Sequence, residues 1–214
     1  TQRLLKLLSL HTFLNKKVSF SSKSIKYSVL STAKELGIKS TDLNILPYTY
    51  SKNQKIRKKA RLSHLKLSQN DPFRFFEETE DVVTDWDAIE MINILSNHKK
   101  NGSLQSLGKW INNIENKSLI IFLIKAIGHF DQIENKEILI KKLSDTDKHI
   151  RAAAIVAIGK LKLNDLEPKL IKMYKREVRI CQKAIIKAIK DFNTGSSLPF
   201  LEETYQNTLE HEFK

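Results

Sequence analysis

The sequence predicts an all-α protein: a right-handed α-solenoid of stacked antiparallel helix pairs, about six pairs with one unpaired helix at the C-terminus. Three observations predict it. The chain repeats at a step of 31 residues, since 118–130 read SLIIFLIKAIGHF, 149–161 read HIRAAAIVAIGKL and 180–192 read ICQKAIIKAIKDF. Ala126, Ala157 and Ala188 therefore fall in register, as do Ile127, Ile158 and Ile189. Helix breakers are scarce, with six Gly and four Pro in 214 residues, which favours long helices. Strict alternation of apolar and polar residues is rare, so strand patterns are weak. Units of this length cannot bury their apolar faces alone and stack on their neighbours.

The register places inner helices near Lys23, Gln54, Trp86, Ser118, His149 and Ile180, and outer helices near Arg3, Thr41, Pro72, Ser103, Lys136, Glu167 and Leu198. Residues 40–52 are poor in periodic hydrophobics, so 1–52 read as basic helices of divergent repeats and 53–214 as the regular array, within one continuous domain. Gln54 opens QKIRKKARLSHLKL, in frame with 149–161: Ile56-Arg57 matches Ile150-Arg151, and Ala60 matches Ala154. Asp71-Pro72, Glu167-Pro168 and Leu198-Pro199 put proline in a first helical turn, where its missing N–H costs nothing. Thr84-x-x-Asp87 and Ser144-Asp145-Thr146-Asp147 offer side-chain oxygens as N-caps. Asn101-Gly102 and residues 194–197 supply turn chemistry. After Asp147, the residues Ile150, Ala153, Ala154, Ala157, Ile158 and Leu161 make one apolar stripe whose alanines allow close helix approach. The last helix, 198–210, has no partner, so the array is expected to be truncated inside a further repeat.

The formal net charge of +13 is unevenly placed. Residues 1–70 hold 15 Lys/Arg against 2 Asp/Glu, residues 71–214 hold 22 of each, and residues 71–90 hold eight acids against Arg74 alone. A basic head of this kind points to an anionic partner, an acidic membrane surface or, less favoured, nucleic acid. A solvated face in a lysine-rich protein is the alternative. The candidate strip is Lys55, Lys58, Lys59, Arg61 and Lys66 on one inner helix, joined by Lys23, Lys26 and Lys34 on the previous one. Lys55, Lys58, Lys59 and Lys66 are expected on the side away from Ile56, Ala60 and Leu67. Such a strip holds phosphates without regard to sequence and weakens steeply with salt. Beside an acidic bilayer each cation gains about 1 kcal/mol. Arg57 and Arg151 share one repeat position and read as structural, bridging acidic or carbonyl groups of the preceding turn, with Asp145 or Asp147 as partner of Arg151. The acidic band (Glu77, Glu78, Glu80, Asp81, Asp85 and Asp87) reads as a counterweight to the strip.

Catalysis finds no foothold. There is no His-x-x-x-His, Cys/His cluster, Gly-rich phosphate loop or Gly-x-Ser-x-Gly. The acidic band lacks EF-hand spacing. No catalytic residue, cofactor, metal or small-molecule substrate is therefore expected. No apolar run approaches the roughly 20 residues that span a bilayer. The single cysteine, Cys181, rules out an internal disulfide framework, fits a reducing compartment and reads as a buried core thiol.

Residues 147–161, Asp-x-x-Ile-Arg-x-x-Ala-x-x-Ala-Ile-Gly-x-Leu, followed by Glu167-Pro168, resemble a HEAT repeat of the armadillo-like, PBS-lyase type. DPFRFFEE (71–78), TDWDAIEMINIL (84–95) and KWINNIENKSLIIFLIKAIGHF (109–130) are similar to bacterial membrane-anchored HEAT-repeat proteins, a resemblance covering about residues 54–205. It implies a helical scaffold that binds a partner protein on its concave face, with no catalytic residues to carry over. It also implies a cytoplasmic position, tethered to the inner face of the membrane by an N-terminal segment absent from this sequence. HEAT-repeat DNA glycosylases are the alternative, since Asp85, Trp86 and Asp87 near an inner helix start resemble such a site; tryptophan at this spacing otherwise reads as core.

Overall fold

The computed structural model describes residues 12–14, 16–17, 22–36, 45–68 and 72–212, and no strand occurs among them. The helices expected near Arg3 and Thr41 lie outside the described residues. The chain divides into two compact units, Thr1–His98 and Lys99–Lys214.

In the first unit, α1 (Lys23–Leu36) and α2 (Gln54–Leu67) start at the predicted residues. A 3-10 turn, Leu46–Tyr50, lies between them. Val29, Leu30 and Ala33 of α1 pack on Ile56, Ala60 and Leu67 of α2, with Ile45 in the same cluster. Asn53 caps α2 by accepting the Ile56 N–H at 3.1 Å. Helix α3 (Asp85–Lys100) opens with a reciprocal box. Thr84 Oγ1 accepts the Asp87 N–H at 3.2 Å, and Asp87 Oδ2 accepts the Thr84 N–H at 2.9 Å. Each side-chain cap of this kind stabilises a helix start by about 1 kcal/mol. The outer helix expected from Pro72 is instead a 3-10 turn, Arg74–Phe76, with Phe73, Phe75 and Phe76 buried. Beyond it Glu77, Glu78, Glu80 and Asp81 would repel one another at helical spacing, and Asp81 is bonded to Arg57 instead.

The second unit alternates long and short helices. They are α4 (Gly108–Ile111), α5 (Lys117–His129), α6 (Lys136–Lys142) and α7 (Lys148–Lys160), then α8 (Glu167–Tyr174), α9 (Arg179–Phe192) and α10 (Leu198–Glu212). Helix α7 packs between α5 and α9, and α4, α6 and α8 pack behind α5, α7 and α9 respectively. The result is an inner layer of three long helices backed by short ones, the all-α helix-pair architecture predicted. The helix expected from Ser103 starts only at Gly108, because the backbone before it is engaged elsewhere. Leu107 N–H donates to Gln132 Oε1 at 2.9 Å, and Gln132 Nε2 donates to the Gln105 carbonyl at 3.0 Å.

Repeat chemistry is visible at both ends of the inner helices. Asn116 and Asp147 cap α5 and α7 with their side chains. After the last turns, Asp131, Lys162 and Asn193 sit 31 residues apart with φ of 57°, 52° and 52°. The Gln132 and Leu163 N–H groups reach back to the Ile127 and Ile158 carbonyls at 3.1 and 3.2 Å, closing Schellman turns on left-handed residues.

The inner helices touch at glycine. A Cβ on Gly128 would stand 3.0 Å from Ala157 Cα, and one on Gly159 only 2.6 Å from Ala188 Cα. The corresponding residue of α9, Lys190, is exposed. Cys181 is fully buried, and burial pushes its thiol up to about 11. That is the inert core role the sequence predicts.

Candidate functional site

The cationic helix α2 carries most of the predicted strip, and the acidic band folds onto it. Arg57 forks onto Asp81, with Nε to Oδ2 at 2.8 Å and Nη2 to Oδ1 at 2.6 Å, while Nη1 donates to the Ser51 carbonyl at 2.7 Å. Lys58 Nζ donates to Asp87 Oδ2 at 2.6 Å and to the Val82 carbonyl at 2.7 Å. Lys34 and Lys59 share Glu90, at 3.1 and 3.7 Å. Burial, with two ammonium groups on one carboxylate, holds Lys34 below its ordinary range. Arg61 donates to the Thr49 and Glu78 carbonyls, each at 3.1 Å, and stacks over the Phe75 ring.

Four of the eight predicted strip residues (Lys34, Lys58, Lys59 and Arg61) are thus spent inside the fold. The structure overturns the expected position of Lys59, which is only 8% exposed. Its ammonium faces Glu90 because α3 covers that side of α2. Lys26 lies over the Tyr48 ring at 5.0 Å. Lys55 is exposed and Lys66 half-buried. The Lys23 side chain lies outside the described residues. The acidic band acts as the counterweight expected, through Asp81 and Asp87.

Arg57 and Arg151 make the same clamp in the two units. Arg151 forks onto Glu177 with two bonds of 2.9 Å, and its Nη1 donates to the Asp145 and Thr146 carbonyls at 2.9 and 3.1 Å. Asp145 is a partner of Arg151 as expected, through its carbonyl, and the acid of the fork, Glu177, comes from the following loop. The carboxylates of Asp145 and Asp147 are engaged by Lys142 and Lys117, at 3.0 and 3.1 Å. Each clamp borders an open cleft. One of about 350 Å³ is lined by Tyr50, Arg57, Arg61, Glu78 and Glu80. The other, of about 400 Å³, includes Lys117, Lys148, His149 and Arg151.

Behind the second clamp stands a surface the sequence reading missed. The three inner helices α5, α7 and α9 carry one acid between them, Asp191. Their exposed cations include Lys125, Lys148, Lys160, Arg179, Lys183 and Lys187. Among the described residues, none of these six side chains has an ion pair or hydrogen-bond partner. Summing charge over residues 71–214 gives zero and hides the segregation. Summing by repeat position would have found it, because Lys117, Lys148 and Arg179 recur at steps of 31. A cation in the first turn opposes the helix dipole by about 0.3–1 kcal/mol, so helix stability does not account for the pattern.

Two residues of the alternative catalytic reading, Asp87 and Trp86, have defined surroundings. Asp87 takes the Lys58 ammonium and both Thr84 donors; burial opposes its ionisation, and these bonds outweigh it, holding its carboxyl below the usual range. Trp86 is 70% exposed rather than core, whereas Trp110 is buried. No described helix is long and apolar enough to cross a membrane.

A family model described as HEAT repeats matches residues 104–190 and 137–212, together just over half of the chain. No curated protein matches it.

Proposed function

The chain belongs to the HEAT-repeat family, and on that footing we propose that it is a non-enzymatic scaffold holding a partner protein on the face of its inner helices. The observation that carries this reading is the inner layer itself. Gly128 against Ala157 and Gly159 against Ala188 lock α5, α7 and α9 at closest approach, so the layer is rigid and pre-ordered. A pre-ordered surface loses little entropy on binding. Its solvent side alternates cations with apolar side chains such as Ile180, while the hydrogen-bonded clamp of Arg151 lies at its edge. That is a surface for contact rather than for chemistry.

The test is capture at physiological salt with the full chain, comparing the parent with an Ile180→Glu, Val156→Glu variant. Recovery of a partner by the parent and its loss from the variant supports the reading. Recovery unchanged by the variant, or no recovery at any concentration, rejects it.

The finer part of the proposal concerns the first third. Its charge, +13 over residues 1–70, supports contact with an acidic membrane surface, and with it a cytoplasmic position at the inner leaflet. Lys55, exposed and without an acidic partner among the described residues, is the clearest cation for that role. Flotation with acidic and neutral vesicles decides it, since equal recovery from both removes the membrane.

A further inference from the structure

We infer that the exposed face of α5, α7 and α9 binds an extended acidic segment of a partner polypeptide whose acids are interspersed with apolar residues. The inference rests on the scaffold reading and specifies the chemistry of its occupant. Lys125, Lys148, Lys160, Arg179 and Lys187 project from three parallel rows without an acid to answer them among the described residues. In the first unit, by contrast, Asp81, Asp87 and Glu90 quench the cations of α1 and α2. The fold therefore has acids available for neutralising basic helices, and this layer has one, Asp191, beside its last turn.

Size selects the form of the partner. Helices of 13 or 14 residues are about 20 Å long at 1.5 Å per residue. Three of them, packed at roughly 8–10 Å, offer about 500 Å². A folded partner in a stable complex covers about 800 Å². An extended chain, at about 3.3 Å per residue, crosses the three rows in about eight residues and fits the area available.

Side-chain type selects its chemistry. The free cations of this face are lysines apart from Arg179, while Arg151 is occupied by Glu177. Lysine ammonium groups answer carboxylates and phosphates alike, so the groups between them decide the ligand. The aromatic residues Phe122, Phe130 and Phe192 are buried, which leaves the smaller imidazoles of His129 and His149 as the exposed rings of these helices. Exposed Val178 and Ile180, with half-buried Ile121 and Val156, lie between the cations and suit aliphatic or aromatic side chains of a peptide. Apolar contacts of this kind have no counterpart on a phosphate backbone.

The experiment uses fluorescence anisotropy with the full chain and four probes at matched ionic strength. These are a 12-residue peptide alternating Glu or Asp with Leu or Phe, the same peptide with Gln and Asn for its acids, a 20-base-pair duplex, and vesicles rich in acidic lipid. The variants are Lys125→Glu/Lys148→Glu/Lys187→Glu on the inner face and Lys169→Glu/Lys172→Glu on α8. Circular dichroism melts check that both stay folded. The expected result is binding of the acidic peptide that weakens at least 30-fold in the inner-face variant and less than 3-fold in the α8 variant. Equal binding of the Gln/Asn peptide, with the same dependence on the inner face, overturns the acidic partner and leaves the scaffold reading standing. Tighter binding of duplex or vesicles than of the acidic peptide overturns the polypeptide assignment. Loss of all binding from this face, with Ile180→Glu, Val156→Glu also silent in capture, overturns the inference and the scaffold reading together.

Discussion

Replacing Gly159 by alanine tests the inner layer at its tightest point. The added Cβ would lie 2.6 Å from Ala188 Cα and 2.8 Å from Ala188 Cβ, against about 3.5–4.0 Å for carbon atoms in comfortable contact. The obstacle is the backbone of α9, which no rotamer change can move, so α7 and α9 must part by about 1 Å. Overpacking of this kind costs about 1–3 kcal/mol. Alanine recovers about 1 kcal/mol of helix propensity over glycine, leaving a net loss of up to about 2 kcal/mol, with this backbone contact at the upper end. At about 2–4 °C per kcal/mol for a chain of this size, Tm falls by several degrees. Gly128→Ala is the internal control. Its Cβ would meet Ala157 Cα at 3.0 Å and Ala157 Cβ at 3.3 Å, a clash relieved by a few tenths of an ångström, and propensity then offsets most of the strain. Denaturant melts followed by circular dichroism should rank Gly128→Ala near the parent and Gly159→Ala clearly below it, with unchanged slopes. Adding Ala188→Gly to Gly159→Ala should restore part of the loss, because one of the two clashing carbons is gone while the Cα remains. A Gly159→Ala protein as stable as the parent would refute closest approach at this position.

Further outcomes follow from the clamps and the core. Arg151→Lys keeps the charge but loses the fork on Glu177 and the two carbonyl bonds, so a melt should show about 1–2 kcal/mol of destabilisation; a loss below the error of the melt would mean the clamp is idle. The bond from Arg57 holds Asp81, and the bond from Arg151 holds Glu177, below the ordinary carboxylate range. At Glu167 burial works the other way, but hydroxyls of Ser197, Thr194 and Ser196 outweigh it and lower that carboxyl too. Native proteins with depressed carboxylates bind fewer protons than their unfolded chains. The stability these groups contribute is complete above the unfolded range near about 4 and disappears as pH falls through their native values. Glu177→Gln should therefore be less stable than the parent at pH 7 and converge with it near pH 3, and a constant gap across that range would contradict the assignment. Cys181, with its thiol raised to about 11 and its Sγ donating to the Lys148 carbonyl at 3.3 Å, should label with a disulfide reagent at pH 8 only as fast as the unit opens; immediate labelling of folded protein would place it elsewhere.

What the sequence by itself determined is the repeat. The recurrence of Ala126, Ala157 and Ala188 with Ile127, Ile158 and Ile189 sets which side of each long helix is buried, and the starts of α1, α2, α3, α5, α7 and α9 fall within one residue of that register. Such features are legible because they depend on periodicity and on caps within four residues. Lys162 marks the limit of that legibility: its left-handed conformation, which a lysine side chain does not advertise, is imposed by the Schellman turn around it, whereas Asp131 and Asn193 at the same step are residue types that tolerate that conformation. The short outer turns were hidden for a similar reason. Gln132 holds the backbone before Gly108 from 25 residues away, and no local propensity encodes that bond. Only the tertiary structure decided which cations remain free. Lys58 and Lys59 stand in the most basic stretch of the chain, yet α3 brings Asp87 and Glu90 against them, whereas Lys125, Lys148 and Lys187, in a stretch of zero net charge, face solvent together. Charge in a sequence is a sum along the chain, but the field a partner meets is a sum over space, and stacking at a fixed step converts one into the other.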